Sequence, residues 1–131
     1  MAENEKLRRT PLFETHKVLG GRLVAFSGWE MPVQYVSILA EAKAVRAGAG
    51  LFDVSHMGRV TIHGPGAGIF LNRILSIDVP RMQIGRARYN LICNHDGGII
   101  DDCIVYRLSE DRFLLVPNAT NTSVVLDWME Y

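Results

Sequence analysis

The clearest pattern of apolar and polar positions lies between residues 87 and 118. Three segments rich in apolar residues, 87–94, 99–108 and 112–118, are separated by the short polar loops HDGG and SED. Loops this short join antiparallel neighbours, because a parallel pair needs a crossover of a dozen or more residues. The pattern therefore predicts a three-stranded antiparallel meander.

Helical spacing of apolar residues predicts four helices around these strands. We expect a first helix from Pro11 to Leu19 that Thr10 caps, and a second helix that Ser37 caps and that ends at Ala47. Two further helices are predicted within residues 68–75 and 119–131.

Alternating apolar residues predict two more strands, within residues 22–28 and 60–63. Residues 28–35, GWEMPVQY, are interpreted as a loop because Gly28 and Pro32 interrupt regular structure, and residues 76–86 as a long connection. The predicted fold class is α+β, an antiparallel sheet flanked by helices.

Composition limits the classes of protein that fit this fold. The chain has 131 residues, of which 48% are apolar, enough for one modest core or an incomplete piece of a larger one. Lys plus Arg equals Asp plus Glu at 14 each, so no net charge favours nucleic acid or an acidic membrane surface. The first ten residues lack the apolar stretch of a signal peptide. We expect a cytoplasmic protein.

The two cysteines and four histidines give little support to a disulfide or a metal site. Cys93 and Cys103 flank the DGG turn and could face each other across a hairpin, but in a reducing compartment two buried thiols are expected instead. Cys93 and His95 are too few soft ligands for a structural zinc site, which takes four. We predict no metal.

Two carboxylates, Asp101 and Asp102, stand side by side in the middle strand of the meander. Side chains alternate along a strand, so one aspartate points to each face, and the one on the apolar face needs a hydrogen-bonding partner or a ligand. Residues alone leave two interpretations open. Either Asp101 caps the hairpin while Asp102 pairs with Arg86 or Arg88, or a carboxylate serves a ligand. The face shared with Asp102 carries Ile100, Ile104 and Tyr106.

Five ordered blocks carry a resemblance to a known family. They are TPLFETH (10–16), GWEMPVQY (28–35), AVRAGAGLFDVSHMG (44–58), YNLICNHDGGIIDDCIVY (89–106) and LLVPNATN (114–121). Together they resemble the T protein of the glycine cleavage system, the tetrahydrofolate-dependent aminomethyltransferase, over roughly the first third of that family's length. The resemblance implies a folate-binding cloverleaf-type fold, with residues 1–50 starting an incomplete first domain and residues 51–131 forming most of a second.

The resemblance also implies an activity and its site. In this family an aminomethyl group moves from the lipoylated H protein to tetrahydrofolate, and ammonia is released. The family's catalytic carboxylate is the second Asp of its GGIIDD-type motif, so Asp102 rather than Asp101 is expected to support transfer. A fixed carboxylate can orient a folate amine and stabilise developing positive charge. The implied tetrahydrofolate contacts are Met57, Tyr89, Asp102, Ile104, Tyr106 and Asn118.

The resemblance leaves several alternatives open and gives three expectations about the 131-residue chain. A folate-dependent demethylase, the folate-accepting part of a methylglycine dehydrogenase and a folate-binding accessory protein of iron–sulfur assembly share this architecture. An inert remnant that retains only a partner-binding surface is also compatible. We expect the chain alone to bind folate weakly, to be inactive as an N-terminal piece, and to self-associate through exposed apolar faces.

Overall fold

The computed structural model describes residues 6–130, which form two compact units that divide between His56 and Met57. The division of the chain into domains 1–50 and 51–131 stays a prediction. Within the described residues, no helix has both the length and the apolar character needed to cross a membrane.

The first unit is a small three-stranded sheet with two helices. Its elements are β1 (Arg8–Arg9), α1 (Phe13–Val18), β2 (Arg22–Phe26), β3 (Trp29–Gln34) and α2 (Ile38–Ala47). The middle strand is β3, which pairs antiparallel with β2 and parallel with β1. The structure therefore has two strands, β1 and β3, that the predicted order of helix, strand and helix lacked.

The interpretation of residues 28–35 as a loop was wrong, because most of them form β3. Ser27 and Gly28 take positive φ angles of 51° and 76°, which makes the tight turn that a two-residue hairpin requires. Pro32 fits because β1 pairs only with Trp29 and Glu30, so β3 is an edge strand where the proline lies.

The two predicted helix starts in this unit had different outcomes. Ser37 caps α2 as predicted, since its hydroxyl accepts a hydrogen bond from the Ala40 N–H at 3.2 Å. The first helix begins at Phe13 rather than Pro11, and its start has no side-chain cap. Thr10 contributes its carbonyl instead, which accepts the Phe13 N–H at 3.1 Å in a turn ahead of the helix.

The second unit is a four-stranded antiparallel sheet with two helices. Its elements are β4 (Val60–His63), α3 (Ala67–Ile74), β5 (Ala87–Cys93), β6 (Ile99–Arg107), β7 (Arg112–Val116) and α4 (Thr122–Glu130). The strand order β4-β7-β6-β5 confirms the predicted meander and adds β4 as a neighbour of β7.

One face of this sheet forms the core with α3 and α4. The buried apolar residues are Ala67, Leu71, Leu75, Val79, Met82, Ile92, Cys103, Val105, Phe113, Leu115 and Val125. Along β6, Asp101, Cys103 and Val105 are buried, whereas Asp102, Ile104 and Tyr106 are exposed. The predicted division of β6 into two faces is therefore confirmed, and Asp102 lies on the open face.

Candidate functional site

The register of the meander brings four of the predicted site residues together, namely Tyr89, Asp102, Ile104 and Asn118. On β6, Ile104 is opposite Tyr89 of β5 and opposite Val116 of β7. Because the strands are antiparallel, two steps along β6 reach Asp102 and two steps beyond Val116 reach Asn118. Tyr89 lies diagonally across from Asp102, within reach of a long side chain.

Asp102 accepts one hydrogen bond on each carboxylate oxygen. The Tyr89 hydroxyl donates to Oδ2 at 2.9 Å, and the Asn118 Nδ2 donates to Oδ1 at 2.9 Å. The interpretation that Asp102 pairs with Arg86 or Arg88 was wrong, because the Tyr89 hydroxyl and the Asn118 side-chain amide are its hydrogen-bonding partners instead. A carboxylate has about four acceptor positions, so two donors leave room for an N–H of a ligand.

Tyr89 acts as a hydrogen-bond donor in this cluster. The hydrogen bond to Asp102 raises the pKa of Tyr89, and the negative charge of that carboxylate adds to the effect. The ordinary pKa of tyrosine is already about 10, so the hydroxyl keeps its proton at neutral pH. Tyr89 therefore holds the Asp102 carboxylate without adding a charge to the site.

Asp101 is the buried member of the pair, with 2% of its surface exposed. It accepts three hydrogen bonds, from the main-chain N–H of Asn118 at 2.9 Å, the Asn118 Nδ2 at 3.0 Å and the Asn121 Nδ2 at 2.7 Å. The interpretation that Asp101 caps the hairpin was wrong. Asn94 does so instead, because its Oδ1 accepts the N–H groups of Asp96 and Gly98.

Ile104 and Tyr106 lie on the same exposed face as Asp102. Met57 is half-buried and precedes Gly58, whose N–H donates to the Pro117 carbonyl at 3.1 Å, next to Asn118 in the chain. A Cβ at Gly58 would lie 2.7 Å from the Pro117 ring, so only glycine fits there. The roles of all six residues towards folate stay predictions.

Sequence reasoning missed Asn121 as a member of this cluster. Asn118 and Asn121 lie three residues apart between β7 and α4, where the Asn121 carbonyl accepts the Val125 N–H at 2.8 Å. Asparagine is typical of helix starts. Asn121, directly ahead of α4, was therefore a signal for a helix start, but nothing local indicated that both amides turn towards Asp101.

The two cysteines are free thiols. Burial raises the pKa of the Cys103 thiol to about 12, and the charges of Asp101 and Asp102 act in the same direction. Cys103 therefore stays protonated and is a packing residue beneath the site. The prediction of buried thiols is confirmed for Cys103, whereas Cys93 is only half-buried.

Comparison with known proteins places the chain in a family. Residues 12–131 match the family profile described as the GCVT N-terminal domain. The chain belongs to the GCVT family. The resemblance found in the sequence is therefore confirmed.

Individual GCVT relatives are identical to this chain at about half of the aligned positions. It is 51% identical over 123 residues to an aminomethyltransferase of Halothermothrix orenii, covering 94% of this chain and 34% of that relative. It is 49% identical over 124 residues to an aminomethyltransferase of Bacillus subtilis, covering 95% and 34%. The chain thus spans about a third of the length of the curated relatives it matches.

A solved structure agrees with the fold. The glycine cleavage system aminomethyltransferase T of Bartonella henselae matches with a TM-score of 0.92 and 42% sequence identity, covering 95% of this chain and 35% of that one. The α+β fold class, with antiparallel sheets and flanking helices, is therefore confirmed as that of the N-terminal portion of a GCVT protein.

Proposed function

We propose that this chain provides the Asp102 side of a tetrahydrofolate site in a glycine cleavage aminomethyltransferase. The observation that carries the proposal is an exposed carboxylate held by two neutral donors, Tyr89 and Asn118, at 2.9 Å each. Similarity to proteins named aminomethyltransferases supports the class of reaction.

The residues around Asp102 suit a flat, amine-bearing ring. Tyr89, Ile104 and Tyr106 are 65%, 37% and 38% exposed, so apolar surface lies open on the strands that carry the carboxylate. Ligand sites combine such apolar area with a few polar groups that fix orientation. Asp102 would supply the polar group, with Asn118 and Met57 at the adjoining end of β7.

In the proposed reaction, two nitrogens of tetrahydrofolate bond to the transferred carbon of the lipoylated H protein. The bonds of that carbon to the lipoyl sulfur and to its amine break, and the two folate N–H protons leave with the thiol and ammonia. Asp102 accepts a folate N–H, holds that nitrogen at attack distance and stabilises positive charge on the transferred carbon. Because Tyr89 and Asn118 already fix both oxygens, the carboxylate needs little rearrangement when it acts.

Binding to the 131-residue chain can be tested by adding tetrahydrofolate to isotope-labelled protein and following its NMR spectrum. We expect weak binding, because the proposed face is open to solvent, with shifts at Asp102 and the neighbouring site residues. Asp102→Asn should abolish these shifts, and the matched control Asp127→Asn, an exposed position on α4, should retain them. Equal responses of the two variants would contradict the proposal.

Activity can be tested by joining this chain to the remaining two thirds of the Bacillus subtilis relative. Asp102→Asn should slow ammonia release by about 10²- to 10³-fold, the usual loss when one group that stabilises charge in the transition state is removed. Asp127→Asn should not. A chimera that binds folate but releases no ammonia, even with Asp102 intact, would favour the accessory-protein alternative.

A further inference from the structure

The proposed reaction uses Asp102 and assigns no task to its buried neighbour. Asp101 is 2% exposed and accepts hydrogen bonds from two asparagines. We propose that Asp101 is a positioning residue that fixes the orientation of the Asp102 carboxylate through the side chain of Asn118. The importance of this role for catalysis rests on the proposed function.

A single amide nitrogen connects the two carboxylates. The Asn118 Nδ2 lies 3.0 Å from Asp101 Oδ1, 2.9 Å from Asp102 Oδ1 and 2.9 Å from the Asp102 carbonyl oxygen. Asp101 and Asp102 point to opposite faces of β6, yet Asn118 reaches both because it lies just past the end of β7. The amide must keep its nitrogen towards β6 to satisfy either carboxylate.

Asp101 also fixes the backbone that carries this amide. Its Oδ2 accepts the main-chain N–H of Asn118 at 2.9 Å, so both the main chain and the side chain of that residue are held. The Asn121 Nδ2, at 2.7 Å from Oδ1, ties the same carboxylate to the start of α4. Asp101 therefore joins β6, the end of β7 and the start of α4 at one point.

Only an acceptor-only group satisfies these three donors. A carboxylate offers acceptors on both oxygens, whereas the amide of an asparagine would direct an N–H at one of the donors. Asp101→Asn keeps the size of the side chain but leaves at least one buried donor without its acceptor. Whichever way the new amide turns, Asn118 loses the hydrogen bond of its main-chain N–H or of its side chain, so its hold on Asp102 is weakened.

The test measures the orientation of Asp102 in the 131-residue chain without any folate. Three-bond NMR couplings from the Asp102 carboxyl carbon to its backbone nitrogen and carbonyl carbon report the χ1 angle. We expect one staggered rotamer in the wild type and averaging over several in Asp101→Asn. Asp127→Asn, a matched change on the exposed face of α4, should leave Asp102 in one rotamer.

A double substitution tests the route through Asn118. Asn118→Ala should produce averaging by itself, and adding Asp101→Asn should produce no more, because coupled residues are not additive. A folded Asp101→Asn protein with Asp102 in its wild-type rotamer would overturn the proposal.

If Asp101→Asn does not fold, two other measurements test whether Asn118 connects the two aspartates. In the wild type, couplings transmitted through hydrogen bonds should connect the side-chain Nδ2 of Asn118 to the carboxyl carbons of both aspartates. In Asn118→Ala, Asp102 should still average over several rotamers. Coupling to Asp102 alone, or a single rotamer in Asn118→Ala, would overturn the proposal. Because no folate is present, absence of a folate response would count against the proposed function and not against this inference.

Discussion

The two units of the molecule are stabilised by different kinds of contact. Among the described residues, the first unit buries two apolar side chains, Phe13 and Met31, whereas the second has a cluster of eleven. Helix α2 of the first unit has no buried residue, but α3 and α4 of the second each contribute to the core. Hydrophobic burial therefore stabilises the second unit much more than the first.

The first unit has a polar cluster around the buried His16 side chain instead. His16 is 5% exposed, and its ring nitrogens lie 2.7 Å from the Tyr35 hydroxyl and 2.8 Å from Asp53 Oδ2. These contacts join α1 to the end of β3 and to the segment after α2. In this unit, residues distant in sequence are held together by hydrogen bonds where little apolar surface is buried.

The largest effect is expected from the core of the second unit. Phe113 is 1% exposed, and Phe113→Ala should lower the free energy of unfolding of that unit by about 3–5 kcal/mol, through lost burial and the cavity left behind. Urea unfolding followed by Trp128 fluorescence, in a Trp29→Phe background, measures it. Ile69→Ala, at an exposed position on α3, should change stability by less than about 0.5 kcal/mol. Equal losses would contradict the assigned core.

A smaller effect is expected from the polar cluster of the first unit. Asp53→Asn should lower the free energy of unfolding by about 1–3 kcal/mol, because a buried hydrogen bond to His16 loses its charged acceptor. Trp29 fluorescence in a Trp128→Phe background measures it. Glu14→Gln, which affects an exposed ion pair with Lys17, is the matched control and should change little.

The same cluster should make the first unit sensitive to acid. Burial acts to raise the pKa of Asp53, but hydrogen bonds from His16 and Ser55 hold it well below its usual range. A lowered pKa in the folded state stabilises above the unfolded value of about 4, and this stabilisation is lost as pH falls from there towards the folded pKa. Asp53→Asn should remove that part of the pH dependence. An unchanged slope would show that Asp53 is not its source.

The sequence predicted those parts of the fold that depend on local pattern. The short loops identified the meander, and period-two alternation assigned Asp101 and Asp102 to opposite faces. The strand β3 was missed because Pro32 usually indicates a break, and its tolerance depends on how far β1 extends along the other side. That is a property of the sheet and not of the segment.

The candidate site shows the same limit. Resemblance to a family suggested Asp102, Tyr89 and Asn118, and the structure brings these three into one hydrogen-bonded cluster. The partners of Asp101 could not be predicted, since they depend on the turn between β7 and α4. Burial alone required that this carboxylate have donors, without saying which ones.

The smallest effect on stability is expected at the start of α2. Because this helix has no buried residue, local contacts contribute a large part of its stability. Ser37 accepts the Ala40 N–H at 3.2 Å, and Glu41 accepts the main-chain N–H of Tyr35 and of Val36 at 2.7 and 2.9 Å. Ser37→Ala should lower the free energy of unfolding of the first unit by about 1 kcal/mol.

Amide hydrogen exchange measures this change at the residue where it acts. The Ala40 amide should lose protection in Ser37→Ala, and the amides of the second unit should not. Ser123→Ala, an exposed position within α4, removes the same hydroxyl and should change stability by less than about 0.5 kcal/mol. If Ser37→Ala costs no more than Ser123→Ala, then α2 is stabilised by contacts other than its cap, and the contrast between the units is smaller than their buried residues indicate.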